Sequence, residues 1–322
     1  MGEIRLGLIG CGSHVRSRIR HLVGGTGAAI VAVADPSEEM RRTIGVGADR
    51  FPDHRAMLET AELDGVVISS PHGLHFAHAA DALGAGCHVL VYKPMVTNSA
   101  DARELLRLTG QSGRVVSLAV EGLFTAEYRH LRALLDAGEL GEIRLVTGTV
   151  AQDWLANVGG TWRTDPRLGG GGNLIDSGYH LLAALLHLTG QRPLEVFAYL
   201  DRRDERVDVE TVAALRFDGG ALGAIAVSGG AQGMEESVYL CGTKASLTTS
   251  VYGGRLAFVT GWSERHVLEL EPAETAEANF VRCILGEAET LAPPELGLEL
   301  AHVVEALLLS AEEHAPVQVA RG

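Results

Sequence analysis

Short, continuous apolar runs recur along the first 120 residues of the chain. They are rich in valine and isoleucine and do not alternate with polar residues, which is typical of strands covered on both faces. Amphipathic stretches separate these runs, and the repeated strand–helix–strand order predicts a parallel, doubly wound sheet. The predicted strands are Ile4–Ile9, Ile30–Ala34, Val66–Ser69, His88–Val91 and Val115–Val120, and the predicted helices are Ser13–Val23, Ser37–Ile44, Leu74–Leu83 and Asp101–Leu108.

The pattern changes after residue 125. Seven short apolar runs then follow one another with turns between them, which predicts strands that pair antiparallel. The predicted elements are a helix at Ala126–Ala137, a strand at Ile143–Val150, a polar, Gly-rich loop at Ala151–Gly172, a helix at Asn173–Leu188, strands at Leu194–Leu200, Val207–Phe217, Ala221–Val227, Val238–Leu240, Ser246–Val251, Leu256–Val259 and Val267–Leu270, and helices at Ala273–Leu285 and Glu295–Glu313.

These patterns predict an α/β chain of two domains, a number that its 322 residues can support. Residues 1–122 form the doubly wound parallel sheet. Residues 123–322 form an α+β domain on a large, open, mainly antiparallel sheet. The charged run at 201–206 is expected to be a solvated turn.

Composition narrows the classes of function. With 27 Lys and Arg against 41 Asp and Glu, the formal charge is −14, which argues against nucleic acid or an anionic membrane as partner. A hydrophobic content of 46% argues against disorder, and no apolar run is long enough to span a bilayer or to act as a secretory signal. The four cysteines are scattered without a CxxC pair, so we expect reduced thiols in a cytoplasmic protein.

The first candidate for chemistry is a glycine pair directly after the first predicted strand. Gly10, Cys11 and Gly12 open the first helix, which begins with Ser13 and His14. Glycine lets the backbone turn tightly and approach a pyrophosphate, whose charge then meets the unpaired N–H groups at the helix start. This loop therefore predicts dinucleotide binding, so that residues 1–122 form a Rossmann domain.

An acidic residue at the end of the second strand indicates which dinucleotide binds. Asp35, followed by Pro36, can accept hydrogen bonds from the adenosine ribose and would repel a 2′-phosphate, which favours NAD over NADP. Arg41 and Arg42 keep NADP open as the alternative. Val15 occupies the third glycine position of the usual motif, where close packing matters more than phosphate contact, so we expect a slightly displaced helix with binding retained.

Three further segments resemble the glucose–fructose oxidoreductase / inositol dehydrogenase family (Gfo/Idh/MocA). Residues 69–75 (SSPHGLH) with residues 85–95 (AGCHVLVYKPM) are similar to the family's TPNxxH and AGKHVLCEKPM stretch. Trp162-Arg163 with residues 169–180 (GGGGNLIDSGYH) resembles WR and GGGxLxDxGxH. Residues 242–247 (GTKASL) are similar to the GTKGSL hairpin of the second domain. The likeness extends over nearly the whole chain.

The resemblance implies NAD as cofactor and a sugar, inositol or related polyol that is oxidised or reduced at a carbinol carbon. Lys93 matches the family's active-site lysine, and Asp176 and His180 match its acid/base pair. The resemblance also implies substrate binding by the second domain, and a homodimer or homotetramer formed through its sheet.

Physical chemistry agrees with these roles. Hydride transfer at a carbinol carbon requires removal or return of the hydroxyl proton, which suits an imidazole such as His180. The Lys93 ammonium can polarise the oxygen, and Asp176 can orient the imidazole or bind a neighbouring hydroxyl. Asp176 and His180 are four residues apart, so on one helix they share a face. Helical periodicity alone would predict that this face, which also carries Ala183 and His187, is exposed to solvent. The opposite face of the helix is formed by leucines.

Two positions depart from the family pattern. Tyr92 stands where the family usually has the glutamate before Lys-Pro, so Lys93 could rely on another carboxylate. Glu121 is one candidate for it and stands where relatives often have Asn near the nicotinamide. We expect both residues to contact the cofactor, with Glu121 and Lys93 also contacting substrate.

Other residues complete the expected site. Ser70, Pro71, His72 and His75 are expected to line the cofactor cleft at the carboxyl end of a parallel strand, and His78 to lie on the surface. The spacing of the three histidines does not match a helical zinc site, so no metal is expected. The expected substrate contacts in the variable loop are Trp154, Trp162 and Arg163, with packing as the alternative for Trp154.

Two other functions stay open on the sequence. A non-catalytic NAD-binding regulator is favoured slightly by Tyr92, although the retained Lys93, Asp176 and His180 count against it. A glycosidase or lyase that keeps NAD bound is the other alternative.

Overall fold

The computed structural model describes residues 3–44, 47–260, 264–267, 270 and 274–321. The chain divides into two compact units, each built from two segments. The first unit consists of Met1–Ala119 and Thr275–Gly297, and the second of Val120–Glu274 and Leu298–Gly322. The predicted division placed all of residues 123–322 in one domain, whereas the segment Thr275–Gly297 packs with the first unit.

The first unit contains a six-stranded parallel sheet, as predicted, with the order β3-β2-β1-β4-β5-β6. The order reverses between β1 and β4, and ligands of such sheets bind in the crevice at the carboxyl ends of the strands at this point. The sequence did not predict β3, whose three residues give little periodic signal. The strands are β1 (Ile4–Ile9), β2 (Ala28–Ala34), β3 (Asp49–Phe51), β4 (Gly65–Ile68), β5 (His88–Tyr92) and β6 (Val116–Ala119).

Side-chain caps mark the starts of several helices in this unit. Ser37, Asp53 and Asn98 each accept a hydrogen bond from an N–H group of the first turn, which satisfies one of the donors that a helix start leaves over. The first helix begins after Gly12 and has no side-chain cap. The helices are α1 (Ser13–Val23), α2 (Glu38–Thr43), α3 (His54–Thr60), α4 (His75–Gly84), α5 (Ser99–Ser112) and, from the second segment, α11 (Ala276–Ile284).

The second unit is built on a nine-stranded sheet with the order β14-β13-β12-β11-β7-β10-β9-β8-β15. Neighbours pair antiparallel except β7 and β10, which are parallel, so the prediction of a mainly antiparallel sheet is confirmed. The strands are β7 (Ile143–Gln152), β8 (Pro193–Asp201), β9 (Glu210–Phe217), β10 (Leu222–Ser228), β11 (Met234–Gly242), β12 (Ala245–Thr249), β13 (Leu256–Thr260), β14 (Glu264–Val267) and β15 (Val317–Gln318). Residues 268 and 269 of the predicted run Val267–Leu270 lie outside the described residues.

The predicted helix Asn173–Leu188 is in fact two helices that are separated at Ser177. The second of them is buried on nearly every side, so the solvated face that periodicity alone would favour is not observed at Asp176, His180 and Ala183. The helices of this unit are α6 (Ala126–Asp136), α7 (Trp154–Val158), α8 (Pro166–Gly169), α9 (Asn173–Asp176) and α10 (Gly178–Thr189), and the chain returns to the unit within α12 (Pro294–Glu313).

One face of the large sheet carries exposed apolar side chains. Tyr199 and Val212 are directly opposite each other on β8 and β9 and are 63% and 58% exposed. Leu222 on β10 is paired with Leu145 on β7, and Leu222 is 55% exposed. The charged run at 201–206 is largely exposed, as expected of a turn. Among the described helices, none combines the length and the hydropathy needed to cross a membrane.

Candidate functional site

The Gly-rich loop of the first unit lies close to the backbone that follows β4. Gly10 has a φ of +91°, and a Cβ there would lie 2.7 Å from the backbone of Ser69 and Ser70 at the end of β4. A Cβ on Gly12 would meet nothing within 4 Å, so open space faces the uncapped start of α1. Val15 is fully buried, in agreement with a packing role at the third glycine position. The arrangement has the features of an anion-binding helix start.

Asp35 supports this loop from the end of β2. One carboxylate oxygen accepts the N–H of Cys11 at 2.9 Å and the other accepts the N–H of Ser37 at 2.8 Å. Burial, followed by the charge of Asp35, raises the pKa of the Cys11 thiol to about 12, so the thiol stays protonated. The two arginines that kept NADP open are engaged locally, because Arg41 donates to the carbonyl of Asp35 and Arg42 pairs with Glu38.

A histidine joins the ends of β4 and β5. The ring of His75 contacts the carbonyl oxygens of Ser70 at 2.8 Å and Pro94 at 2.7 Å. Burial lowers the pKa of His75, and a neutral ring donates to one of the two carbonyl groups at a time. The buried ring of His72 lies 5.7 Å from that of His75.

His78, which was expected on the surface, is half-buried. Its Nδ1 is 2.9 Å from the hydroxyl of Ser70, and its ring lies 4.3 Å from that of His54, which in turn contacts Asp81 at 2.8 Å. Burial, and then the neighbouring His54 and His75, lower the pKa of His78 to about 4. Within the described residues, no group of three or more His, Cys, Asp or Glu side chains could hold a metal ion.

The predicted lysine follows directly after β5. The N–H of Lys93 donates to the carbonyl of Ala119 at the end of β6, at 3.3 Å. The ring of Tyr92 is buried, and its hydroxyl donates to Glu277 of α11 at 2.6 Å. The end of β5 is therefore fixed from two directions within the first unit.

In the second unit, Asp176 is 6% exposed and is held by two donors. The indole N–H of Trp154 donates to its Oδ2 at 2.8 Å, and Nε of Arg163 lies 3.1 Å from the same oxygen. The guanidinium of Arg163 also lies over the ring of Trp162, 4.3 Å from the ring centre. Of the two functions that the sequence left open for Trp154, packing is observed, because its ring lies in a cluster with Val207 and Val209, and contact with substrate stays a prediction.

A second buried carboxylate holds the start of α9. Asp208 accepts the N–H of Gly172 at 2.9 Å and the N–H of Leu174 at 2.7 Å. Burial raises the pKa of Asp208, and these hydrogen bonds oppose that effect. A Cβ on Gly172 would overlap the backbone of Asp208, so only glycine permits this approach. Asp208 thus fixes the short helix that ends with Asp176.

His180 lies one turn beyond Asp176 and is 6% exposed. Its Nδ1 is 3.9 Å from Oε2 of Glu121, which begins a short 3-10 helix at Glu121–Phe124. The ring of Tyr252 meets the imidazole edge-on at 4.7 Å, and the N–H of Tyr252 donates to Glu236 at 3.0 Å. Burial, followed by the charges of Asp176, Glu236 and Glu121, raises the pKa of the Tyr252 phenol, which therefore stays protonated at neutral pH.

The second unit thus brings Trp154 and Arg163 to Asp176, and it brings Glu121 to His180, whose ring also meets that of Tyr252, a residue that was not predicted. Lys93, with the Gly-rich loop, belongs to the first unit. The sequence reasoning missed Asp208, Tyr252 and Glu277. No motif marked them, although the Asp-Val pair at 208–209 does stand at the start of a predicted strand.

Comparisons with known proteins agree with this architecture. The model of an oxidoreductase family with an NAD-binding Rossmann fold matches residues 4–120, and the GFO/IDH/MocA C-terminal domain matches residues 128–248. The chain belongs to the GFO/IDH/MocA oxidoreductase family. The resemblance, the fold class and the prediction of an NAD-binding Rossmann domain are confirmed.

Several proteins similar to this chain are named for sugars or for inositol. The D-glucoside 3-dehydrogenase of Escherichia coli strain K12 is 25% identical over 316 residues, which is 90% of each chain. The WlbA dehydrogenase of Bordetella pertussis, solved with NADH and UDP-GlcNAcA, has a TM-score of 0.88 at 23% identity and covers 100% of this chain and 99% of its own. An inositol dehydrogenase homologue of Azotobacter vinelandii, solved with NAD+, has a TM-score of 0.89 at 24% identity over 98% and 97% of the two chains.

The residues of the first unit fit NAD. The helix start after Gly12 has no side-chain cap and no acidic residue in its first turn, so that turn presents no negative charge of its own to a pyrophosphate. The open space at Gly12 leaves room for the backbone to be approached closely.

Proposed function

We propose that this protein is an NAD-dependent dehydrogenase or reductase that acts on a carbinol carbon of a sugar, inositol or related ring polyol. The observation that carries the proposal is the arrangement in the second unit, where a buried imidazole, a carboxylate held by two donors and a protonated phenol lie together. Relatives named for a glucoside and an inositol support the substrate class.

His180 is the proposed proton acceptor in the direction of oxidation. An imidazole takes a proton from a substrate hydroxyl near neutral pH, and Glu121 at 3.9 Å stabilises the imidazolium that results. The nicotinamide, when bound, accepts or supplies the hydride. In the direction of reduction, the imidazolium returns the proton to the oxygen.

Asp176 is proposed to bind a substrate hydroxyl and to orient it toward His180. Trp154 and Arg163 both contact Oδ2, which fixes the orientation of the carboxylate. Lys93 is proposed to polarise the reacting oxygen with its ammonium group. The Tyr252 phenol, which stays protonated, can donate to a further hydroxyl.

Turnover of a panel of polyols tests this function. NADH absorbance is followed with methyl glucosides, free aldoses, inositols and nucleotide sugars. His180→Ala and Lys93→Ala should each lower kcat by about 100-fold or more. Lys244→Ala is the matched control, since the chain has only these two lysines and Lys244 lies in an exposed turn next to β12. NAD binding without turnover on any compound would favour a regulator, and product without net NADH would favour a glycosidase or lyase.

We also propose that the exposed face of the nine-stranded sheet associates with a second copy of the chain. Tyr199 and Val212 are exposed and lie directly opposite each other, and such adjoining exposed apolar side chains are typical of an interface. Val212→Asp should shift the mass measured by light scattering from the dimer or tetramer to the monomer. A wild-type protein that is already a monomer at micromolar concentration would contradict the proposal.

A further inference from the structure

Beside Lys93, the first unit buries a charged cluster that the proposed chemistry does not use. Its centre is Glu277 on α11, which is 0% exposed. Its Oε1 accepts the hydroxyl of Tyr92 at 2.6 Å and lies 3.9 Å from Nε of Arg18. The ring of His14, one turn before Arg18 on α1, meets the Tyr92 ring edge-on at 4.8 Å. Three elements, α1, β5 and α11, therefore meet at one carboxylate.

A buried carboxylate is costly unless its oxygens are satisfied. Oε2 of Glu277 has no hydrogen-bond partner among the described residues, and Arg18 lies at the outer limit of an ion pair with Oε1. An amide or an apolar side chain would fill this position at a lower desolvation cost. A glutamate in such a place points to an effect on a neighbouring group.

The neighbouring group is the lysine. Tyr92 is the last residue of β5, and Lys93 follows it directly, so whatever fixes the phenol also fixes the backbone from which the lysine side chain leaves the sheet. The hydrogen bond to Glu277 comes from 185 residues further along the chain and reaches β5 through α11. The same segment is bound to β6, because the N–H of Leu118 donates to the carbonyl of Ala292 at 2.9 Å.

We propose that Tyr92 and Glu277 are positioning residues for Lys93, with the buried carboxylate of α11 holding the phenol and thereby setting the place and the electrostatic surroundings of the lysine amine. This inference rests on the catalytic role proposed for Lys93. On this inference Glu277, rather than Glu121, provides the carboxyl group that takes the place of the glutamate missing at position 92.

The chain allows a direct observation of this lysine. Reductive methylation with ¹³C-formaldehyde labels only Lys93, Lys244 and the N-terminal amine, since no other lysine is present. Lys244→Arg assigns the signals in a two-dimensional spectrum, and the Lys244 signal then serves as an internal reference. The spectrum reports on Lys93 whether or not a substrate is known.

Glu277→Gln removes the charge and keeps an acceptor for the phenol, whereas Tyr92→Phe removes the hydrogen bond and keeps the charge. In both variants the Lys93 signal should move while the Lys244 signal stays in place. With a turnover assay, kcat should fall about tenfold in both variants, and in Glu277→Gln the Kd of NAD measured by calorimetry should change less than about twofold. The two changes should be less than additive in the double variant, because both act on one contact.

Glu287→Gln is the matched control, with the same chemical change at an exposed carboxylate beyond the end of α11. It should leave the spectrum, kcat and melting temperature unchanged. A Lys93 signal that coincides with the wild type in Glu277→Gln overturns the inference, as does a variant that only melts earlier with kcat intact. If the wild type turns over no polyol, the proposed function fails, and the Lys93 signal alone still decides the positioning role.

Discussion

The candidate sites of the two units rely on different chemical groups. In the first, the Gly-rich loop offers backbone N–H groups, and its geometry depends on the φ of Gly10 and on the carboxylate of Asp35 below it. In the second, Asp176, His180 and Tyr252 offer side chains, and each is placed by a partner on another element. A backbone site tolerates changes of most side chains around it. A side-chain site depends on every partner that orients it.

The first and largest expected effect concerns Gly10. An alanine there combines an unfavourable φ of +91° with a Cβ 2.7 Å from the backbone of Ser69 and Ser70. We expect Gly10→Ala to lower the free energy of unfolding by about 4 kcal/mol. Gly12→Ala, where a Cβ meets nothing within 4 Å, should change stability by less than about 1 kcal/mol yet weaken NAD binding at least about tenfold. Denaturant unfolding measures the stability of both variants, and calorimetry measures their affinity for NAD. Equal losses of stability in Gly10→Ala and Gly12→Ala would show that the loop is not held as described.

The second prediction concerns the support beneath Asp176. Asp208→Ala leaves the N–H groups of Gly172 and Leu174 buried without their acceptor, and we expect a loss of about 3 kcal/mol together with most of the activity. Asp208→Asn keeps one acceptor oxygen and should lose about half as much. Denaturant unfolding of both variants measures the difference. If Asp208→Ala keeps full activity, α9 does not depend on this carboxylate.

The residues of the side-chain site could be predicted from the sequence only where they lie in a recognisable motif. Both β1 at Ile4–Ile9 and α1 at Ser13–Val23 were predicted with their observed bounds, because a valine- and isoleucine-rich run followed by glycines gives a clear local signal. The break at Ser177 was missed, because the apolar residues on either side of it, such as Ile175 and Leu182, keep one helical phase. Asp208, Tyr252 and Glu277 were missed because their partners depend on sheet register and packing rather than on local spacing.

A third prediction compares the pH response of the two units, because each contains a partly buried histidine whose pKa is lowered to about 4. Burial is the main cause for both His78 and His187, and the positive charge of Arg132 adds to it at His187. With a pKa near 6.5 in the unfolded chain, each histidine contributes stability above that pH, and the contribution is lost as the pH falls toward 4.

We expect the free energy of unfolding to fall by about 2 kcal/mol through His187 alone between pH 7 and pH 5. His187→Gln should flatten the pH dependence by that amount, as measured by denaturant unfolding at both values. His78→Gln should have a similar effect in the first unit. If the His187→Gln variant loses as much stability as the wild type on acidification, the imidazole is not kept neutral by the fold.

The smallest expected effect concerns one hydrogen bond. Trp154→Phe removes the indole N–H from Asp176 and leaves Arg163 in contact with the same oxygen. We expect kcat to fall about fivefold, close to 1 kcal/mol, with little change in NAD affinity. Tyr128→Phe is the control, since it removes the hydrogen bond to the carbonyl of Ser250 within the same unit without touching Asp176. Equal effects of the two variants on kcat would assign Trp154 a packing role only.

The return of residues Thr275–Gly297 to the first unit has a consequence for synthesis of the protein. Until that segment leaves the ribosome, the phenol of Tyr92 lacks its acceptor, and β6 lacks the carbonyl of Ala292 and the hydroxyl of Thr290, which is 2.7 Å from that of Ser117. The unit that begins first is therefore completed nearly last. A nascent chain stalled after residue 274 would carry an open sheet edge, the kind of surface to which chaperones and neighbouring nascent chains bind.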